Sequence, residues 1–210
     1  MISEQYAKKA LKNEFKFTDI GLEKLSIYYK EVIKFNKSYN LIGKSTENSF
    51  WSRHILDSAQ LIKFFKFSEN SSISDLGTGA GFPGIVISLA NKKSDFHVKL
   101  YEKSPIKVEF LNSIIKKLNI ERCHVIQGNV MEKKIESEII VCRAFKKLDE
   151  IIKFSRENCQ KPHKLLILKG KNAQADVNNA LTKFAFKYKL YDSITDKKSK
   201  ILVIDVKYCD

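Results

Sequence analysis

The 210-residue sequence has few prolines, few arginines and no cysteine motif. Its four cysteines and four histidines are dispersed and form no Cys-x-x-Cys pair, so we expect neither a zinc site nor disulfides, and no metal. No apolar run approaches the length of a membrane span, and the first residues lack the apolar core of a secretion signal. We therefore expect a cytosolic protein with reduced cysteines and no membrane partner. We also expect a monomer, although nothing in the sequence bears on the oligomeric state.

Acidic residues are in the minority, and the formal net charge is +14. Such an excess favours a polyanionic partner, and nucleic acid before a membrane, because no basic amphipathic stretch dominates. All but four of the 38 basic residues are lysine, however, and heavy lysine use can also reflect an AT-rich genome. The charge alone leaves both interpretations open.

Glycine is scarce as well, with eight in the chain, yet four of them stand at positions 77, 79, 81 and 84. A short apolar strand pattern ends at Asp75 and Leu76, and a helical pattern follows Pro83, which we place in the first helical turn. A strand, a glycine turn and a helix are typical of a nucleotide-cofactor site, where the backbone turns tightly and a ligand approaches closely. A turn without a ligand is the alternative, disfavoured by the entropic cost of four glycines.

The glycine spacing disfavours one cofactor class and leaves two. Gly79 and Gly84 have the spacing of a phosphate-binding P-loop, but Ile85 and Val86 stand where its Lys and Ser/Thr are needed. Gly79, Gly81 and Gly84 also satisfy the dinucleotide pattern, which would make the protein a nicotinamide-dependent oxidoreductase. The trio Gly77, Gly79 and Gly81 is instead similar to the first motif of S-adenosylmethionine-dependent methyltransferases.

Two acidic residues suit the methyltransferase interpretation. Asp75, at the mouth of the strand, suits the ammonium of S-adenosylmethionine, and Glu102, at the end of the next strand, suits its ribose hydroxyls. Glu102 lies about twenty residues beyond the turn and therefore fits the dinucleotide pattern equally well. Asp75 has a second interpretation too, since it could cap the following turn through an Asx-type bond.

Strand and helix patterns alternate after residue 71 and predict an α/β fold. Helices are expected near 84–92, 105–119, 147–158 and 173–187, with Ser104 as the cap of the second. Alternation implies a mostly parallel sheet, but the last two strands are too close for a crossover helix and must form an antiparallel hairpin. This is the Rossmann-like methyltransferase variant of the fold, and no residues remain for a dehydrogenase's substrate domain. The seven predicted strands are Ile73–Gly77, Val98–Glu102, His124–Gln127, Ile139–Arg143, Leu165–Lys169, Leu190–Thr195 and Ile201–Lys207.

The residues before the sheet predict an amino-terminal helical extension. Residues 3–37 read as two helices capped by Ser3 and by Thr18 or Asp19, and the first should bury Tyr6 with Ala10 and Leu11. A third helix should run from Ser45 or Thr46 to about residue 62, followed by a polar linker at 68–72. We therefore divide the chain into an extension, residues 1–70, and a main domain, residues 71–210.

Five segments stand in order between about Tyr39 and Gly170: Asn40-Leu41, Arg53-His54-Ile55-Leu56-Asp57-Ser58, the run Asp75–Gly84, Arg143-Ala144-Phe145 and Leu168-Lys169-Gly170. Together they resemble the glucose-inhibited division protein B family. Members of this family are guanine-N7 methyltransferases of small-subunit (16S) ribosomal RNA. The glycine turn alone is generic, whereas the second and fourth segments are specific.

The resemblance implies S-adenosylmethionine as cofactor, and ribosomal RNA or the 30S subunit as partner, with the extension on the RNA side. It also assigns site residues. Members often carry an acidic residue where Met131 stands, so the backbone of Met131 would serve here. The expected cofactor residues are Asp75, Gly77, Gly79, Gly81, Phe82, Glu102, Asn129, Val130, Met131 and Arg143. The acceptor-side candidates are Asn40, Arg53, His54, Asp57 and Lys169.

The implied chemistry needs no catalytic base. Guanine N7 has a free lone pair, so the enzyme need only hold N7 in line with the sulfonium methyl, which is catalysis by positioning. The motifs of exocyclic-amine and cytosine-C5 methyltransferases are missing, as none of the three prolines supplies them. The rival from another class is a non-catalytic RNA-binding or ribosome-assembly protein that retains the cofactor fold.

Several candidates also have ordinary structural explanations. Arg53 and Asp57 could form a surface ion pair at their i,i+4 spacing. His54 could be a satisfied core histidine, Arg143 a solvent-facing strand end and Lys169 part of a solvated basic rim.

Overall fold

The computed structural model describes residues 2–65, 71–90 and 96–207. One seven-stranded sheet has the strand order β3-β2-β1-β4-β5-β7-β6. The first five strands are parallel, and β6 and β7 form the predicted antiparallel hairpin. β7 also pairs antiparallel with β5, which was not predicted. The strands are β1 Ser72–Leu76, β2 His97–Glu102, β3 Cys123–Gln127, β4 Ile139–Arg143, β5 His163–Lys169, β6 Tyr188–Asp192 and β7 Lys200–Val206.

Among the described residues, four helices accompany the sheet, namely α4 Gly84–Ala90, α5 Pro105–Lys117, α6 Leu148–Asn158 and α7 Ala173–Leu181. Residues 91 and 92 of the predicted 84–92 helix, and residues 68–70 of the predicted linker, lie outside the described ranges. The predicted 173–187 helix is too long, because the N–H groups of Lys183 and Phe184 both turn back to the carbonyl of Ala180 and close it. Pro83 precedes α4 rather than entering its first turn.

Ser104 occupies the cap position of α5, but its side chain makes no capping hydrogen bond. Its backbone N–H donates instead to Glu102 Oε1 at 2.9 Å. Pro105 stands at the start of the helix as predicted. The entry to α5 is therefore tied to the carboxylate at the end of β2.

Two regular helices begin the chain, α1 Glu4–Asn13 and α2 Asp19–Asn36. Ser3 Oγ accepts from the N–H of Tyr6, and Thr18 Oγ1 accepts from the N–H of Gly21, so the predicted caps are confirmed. The buried face of α1 carries Ala7, Ala10 and Leu11, whose spacing of three and four places them on one side. Tyr6 is 56% exposed, and its predicted burial is wrong.

The third helical segment is irregular where sequence periodicity predicts one α-helix. Its predicted apolar positions Phe50, Trp51, Ile55 and Leu56 are nevertheless buried. Widened π-type turns recur at functional sites, and this one carries Arg53 and His54. The segment consists of a 3₁₀ turn Lys44–Ser49, a π-helical turn Trp51–Leu56, a single α-helical turn α3 Asp57–Ala59 and a 3₁₀ turn Gln60–Phe64.

Alternate residues of the central strand β4 enter the two cores of the molecule. Val141 packs in a core that also contains Leu25 of α2 and Ile55 of the irregular segment, so the amino-terminal helices and one face of the sheet share one apolar interior. Ile140 and Cys142 face the other core, beneath α6 and α7. The described cysteines, at 123, 142 and 159, are free and buried, whereas the cysteine at 209 lies outside the described residues.

No helix within the described ranges is both long enough and apolar enough to cross a membrane.

Candidate functional site

The glycine turn between β1 and α4 is held from below by Asp75. Its Oδ2 accepts from Thr78 Oγ1 at 2.6 Å and from the N–H of Gly84 at 2.7 Å. Burial raises the pKa of this carboxyl to about 7, against the opposing effect of those two hydrogen bonds. Oδ1 is buried without a hydrogen-bond partner among the described residues. The side chain thus supports the conformation of the turn from the interior.

Two glycines of the turn have very different surroundings: the space beside Gly79 is open, and the space beside Gly77 is filled by an aromatic ring. Gly79 has φ +62° and nothing within 4 Å of the position a Cβ would take. Gly77 has φ +66°, and a Cβ there would lie 2.3 Å from Cδ2 of Phe145. Both positions therefore favour glycine, the first for its backbone angle and the second also for close approach of an aromatic ring.

A cavity of about 410 Å³ opens beside the turn, and we call it the glycine-turn cavity. Five predicted cofactor residues line it, together with other residues of the strand ends. Its volume lies within the usual range for small-molecule sites. The lining residues are Gly77, Tyr101, Glu102, Lys103, Gly128, Asn129, Val130, Met131, Ala144, Phe145 and Lys146.

Glu102 presents a carboxylate to this cavity while remaining only 7% exposed. Its Oε2 accepts from the N–H of Gly79 at 2.9 Å, and its Oε1 accepts from the N–H groups of Lys103 and Ser104 at 3.0 and 2.9 Å. Three backbone donors thus hold the charged group at the mouth of β2, against the glycine turn.

Asn129 shapes the opposite wall of the glycine-turn cavity. Its Oδ1 accepts from the N–H of Met131 at 3.2 Å, and its Nδ2 donates to Glu132 Oε1 at 2.8 Å. Val130 is buried between them. Met131 also lines the cavity, and its backbone N–H is already bound by Asn129.

Phe82, a predicted cofactor residue, lies outside that cavity and is 2% exposed. Its ring centroid lies 5.2 Å from that of Tyr28, 5.6 Å from that of Phe50 and 4.9 Å from that of His54. Tyr28 also donates from its hydroxyl to the carbonyl of Ala80 at 2.5 Å. The glycine turn is therefore bound directly to α2 and to the irregular helical segment. Gly81 joins this contact, because a Cβ there would meet Tyr28 and Ile85.

A second cavity, of about 610 Å³, lies on the other side of the β4 end, and we call it the arginine cavity. It brings together four of the five acceptor-side candidates, Arg53, His54, Asp57 and Lys169. Arg143, predicted as a cofactor residue, lines this cavity rather than the glycine-turn cavity.

The fifth acceptor-side candidate, Asn40, is exposed and does not line the cavity, whereas its neighbours Leu41 and Ile42 do. The N–H groups of those neighbours both donate to Oδ1 of the buried Asn36. Asn36 therefore sets the path of the loop that borders the arginine cavity.

Arg143 joins the sheet to the π-helical turn. Its Nη1 donates to the carbonyl of Arg53 and its Nη2 donates to Nδ1 of His54, both at 2.9 Å, and the guanidinium lies 5.0 Å from the Phe82 ring centroid. Nδ1 must then be the acceptor, which leaves Nε2 protonated and donating to Thr46 Oγ1 at 2.9 Å. Burial, and the adjacent charges of Arg143 and Arg53, lower the pKa of His54 to about 3, so the imidazole is neutral.

The two carboxylates of the arginine cavity are both engaged. Asp57 Oδ1 accepts from Gln60 Nε2 at 2.7 Å and from Thr195 Oγ1 at 2.8 Å, while burial raises its pKa. The Arg53–Asp57 ion pair suggested by the spacing is not formed. Asp176 pairs with the ammonium of Lys169.

The two cavities meet at Ala144, Phe145 and Lys146, which line both. Phe145 belongs to the Arg-Ala-Phe segment, but sequence reasoning did not single it out as a site residue. Tyr28 and Asn36 were missed as well. Their polar contacts reach distant backbone groups that no local pattern reveals.

The arrangement fits a nucleoside-bearing cofactor in the glycine-turn cavity. Glu102 can accept from ribose hydroxyls, and the open face of Gly79 allows a ligand to approach the backbone. Within the described ranges no group of His, Cys, Asp and Glu side chains is placed to hold a metal ion.

Comparison with known proteins gives a consistent result. The family model described as rRNA small subunit methyltransferase G matches residues 21–204. Ribosomal RNA small subunit methyltransferase G of Rickettsia felis is 38% identical over 183 residues, which cover 87% of this chain and 92% of that protein. The protein of the same name from Orientia tsutsugamushi is 36% identical over 87% of this chain and 89% of its own length.

Solved structures show the same fold at lower identity. An Aquifex aeolicus S-adenosylmethionine-dependent methyltransferase has a TM-score of 0.60 and 16% identity, over 77% of this chain and 94% of that chain. A Salinibacter ruber RNA methyltransferase in complex with S-adenosyl-L-homocysteine has a TM-score of 0.55 and 12% identity, over 73% and 92%. At these identities the likeness concerns the fold alone.

Proposed function

This chain belongs to the rRNA small subunit methyltransferase G family, and we propose that it methylates N7 of a guanosine in small-subunit (16S) ribosomal RNA. The methyl donor is S-adenosylmethionine. Family membership rules out the interpretation as a nicotinamide-dependent oxidoreductase, which the glycine spacing had left open.

The observation that carries the proposal is the meeting of two unlike cavities at one strand end. The glycine-turn cavity offers the carboxylate of Glu102 and the wall around Met131, which suit a nucleoside. The arginine cavity offers the cationic groups of Arg53, Arg143 and Lys169, which suit a nucleotide of RNA. A donor in the first and a base in the second would face each other across Ala144–Lys146.

When bound, S-adenosylmethionine supplies a methyl group on a cationic sulfur, which the N7 lone pair attacks as the carbon–sulfur bond breaks to leave S-adenosylhomocysteine and a cationic N7-methylguanosine. The protein's own residues orient the two partners and exclude water. Glu102 orients the donor side, and Arg143, fixed by Arg53 and His54, orients the acceptor side.

The arginine cavity supports catalysis without a base. Asp57 is held by two donors, Asp176 is paired with Lys169, and His54 is neutral with both ring nitrogens hydrogen-bonded. Each of these three groups already serves as a structural hydrogen-bond or ion-pair partner in the cavity wall. Guanine N7 asks for no proton transfer, whereas an exocyclic amine would lose a proton on methylation.

The RNA would contact the face where the amino-terminal extension, residues 1–70, adjoins the main domain, residues 71–210. Lys146, Lys169 and Lys171 border the arginine cavity there and would meet phosphates. We infer that one chain is sufficient for activity, that the 30S subunit or its RNA is the substrate in the cytosol, and that binding weakens steeply with salt.

Mapping of N7-methylguanosine in ribosomal RNA, from cells with and without this gene, tests the proposal. We expect one N7-methylguanosine of the small-subunit RNA to be absent without the gene and to return with the intact gene. An unchanged methylation map would contradict the proposal and would favour the non-catalytic assembly protein.

A further inference from the structure

We propose that Phe145 is a movable partition between the two cavities, a positioning residue whose ring must leave Gly77 before methyl transfer can occur. This inference rests on the function proposed above and concerns a residue to which neither the family description nor the sequence pattern assigns a role.

The first supporting observation is that the ring of Phe145 packs directly against the backbone of Gly77. A Cβ built on Gly77 would lie 2.3 Å from Cδ2 and 2.9 Å from Cε2 of Phe145, so the ring fills the space that this glycine leaves. Gly77 also lines the glycine-turn cavity. The ring therefore covers part of the surface that a donor would use.

The second observation is that the wall between the cavities is very short. Ala144, Phe145 and Lys146 are the residues common to both linings, and Phe145 is the half-buried aromatic one, whereas its two neighbours are exposed. Ala144 has φ +48°, a left-handed conformation that is unfavourable for a non-glycine residue. This sharp turn separates Arg143, which faces the arginine cavity, from Phe145, which lies against Gly77.

Methyl transfer requires reacting atoms within about 3–3.5 Å of each other. An aromatic ring standing between two cavities holds their contents farther apart than that. The ring must therefore move aside, and in its new position it can flank the target base, since aromatic side chains stack readily on exposed RNA bases.

Two opposite effects distinguish a partition from a residue that merely packs. F145A removes a ring that the donor would otherwise displace, so S-adenosylhomocysteine should bind about threefold more tightly or better. The same variant lacks the surface that orients the base, so kcat should fall about tenfold or more with little change in KM for the RNA. F145Y should retain both wild-type properties.

The matched control is F184A. Phe184 is also partly buried and packs in the second core, but it lines neither cavity. Its removal should lower the melting temperature without changing S-adenosylhomocysteine affinity or kcat. The wild-type protein, F145A, F145Y and F184A are compared by calorimetry for S-adenosylhomocysteine affinity, by thermal denaturation for stability and by methylation kinetics for kcat and KM.

A fluorescence experiment follows the ring directly. Trp51 is the chain's one tryptophan, and its indole Nε1 has no hydrogen-bond partner among the described residues. The W51F substitution therefore removes no side-chain hydrogen bond. In W51F/F145W the remaining indole reports on position 145, and S-adenosylhomocysteine should shift its emission with the dissociation constant found by calorimetry.

The inference would be overturned if emission stayed unchanged at saturating S-adenosylhomocysteine, or if F145A matched F184A in affinity and kcat. If the wild-type protein bound no S-adenosylhomocysteine at all, the proposed function would fail first, and this inference would fail with it.

Discussion

Nη2 of Arg143 donates to Nδ1 of His54 across a 2.9 Å hydrogen bond that joins the end of β4 to the π-helical turn of the amino-terminal extension. The bond determines the tautomer of the imidazole, because Nδ1 must accept it. The other ring nitrogen, Nε2, then donates to Thr46 Oγ1. His54 is thus a buried histidine with satisfied partners, as the structural interpretation held, and it also borders the arginine cavity. Its position makes it the support of the arginine that we assign to the acceptor side.

Replacing His54 should reveal this support. H54A removes the acceptor and should lower kcat about tenfold, whereas H54N places an amide oxygen near the Nδ1 position and should restore most of the rate. Methylation kinetics on small-subunit RNA measure both. H163A is the control, because His163 is equally buried but bonds to Ser155, outside both cavities. Equal rates for H54A and the wild-type protein would show that Arg143 needs no such support.

The neutral state of His54 predicts a pH dependence of stability. Its pKa is about 3 in the folded chain against 6.5 for the free group, so between these values the unfolded chain binds more protons. This contribution to stability is complete above pH 6.5 and is lost as the pH falls toward 3. Urea unfolding of wild type and H54N from pH 4 to 7.5 should show the wild type losing more stability on acidification. An NMR titration of His54 with a midpoint near 6.5 would contradict the prediction.

Tyr28 offers a test of the contact between α2 and the glycine turn. Y28F removes the hydroxyl that donates to Ala80 and leaves a buried carbonyl without that partner, at a cost of about 1–3 kcal/mol in unfolding free energy. Y29F is the neighbouring control, since Tyr29 is only partly buried and makes ring contacts, and it should change stability by less than about 0.5 kcal/mol. Denaturant unfolding at constant pH measures both variants. Equal losses would show that the hydroxyl of Tyr28 contributes nothing to the turn.

Gly79 and Gly170 both have open space around their Cβ positions but differ in backbone conformation, so alanine substitutions at the two sites isolate the effect of backbone strain. G79A puts a side chain at φ +62° and should cost about 1–2 kcal/mol in stability. Gly79 also donates its N–H to Glu102, which lines the glycine-turn cavity, so a displaced turn should lower the affinity for S-adenosylhomocysteine about tenfold. Gly170 likewise has nothing near its Cβ position but lacks the left-handed backbone, so G170A should leave stability and affinity close to wild type. Calorimetry showing unchanged affinity for G79A would argue against a donor at this turn.

Most of the sheet was predictable because β4, β5 and β7 are short apolar runs between polar residues. The mostly exposed β6, Tyr188–Asp192, was predicted at Leu190–Thr195 instead. For β4 the prediction matches residue for residue, since both faces of this strand are buried and the run ends abruptly at Arg143. The antiparallel hairpin could be predicted because the segment between the last two strands is too short for a crossover helix. The position of β7 between β5 and β6 could not, because it depends on strand pairing that no local pattern encodes.

The amino-terminal region was less predictable. Apolar spacing identified the buried side chains of the third helical segment, but a periodicity cannot distinguish π from α hydrogen bonding. Tyr6 looked like a core residue because it is large and apolar, yet the buried face carries Ala7, whose small side chain gives a weak signal.

The site was predictable as a set of residues and less so as a geometry. The motifs brought Arg53, His54 and Asp57 together correctly, because they lie on one short segment. They could not show that Arg143 turns toward these residues or that Phe145 lies on Gly77, since both depend on contacts between distant parts of the chain.

The most direct test of the central claim is methyl transfer by the purified protein. Small-subunit RNA and 30S subunits are incubated with methyl-labelled S-adenosylmethionine, and the RNA is then digested to nucleosides. E102Q serves as the control, because an amide cannot accept all three backbone N–H groups that Glu102 now binds. We predict label in N7-methylguanosine alone, strongly reduced with E102Q. Label in another nucleoside, or no label in either substrate, would contradict the account.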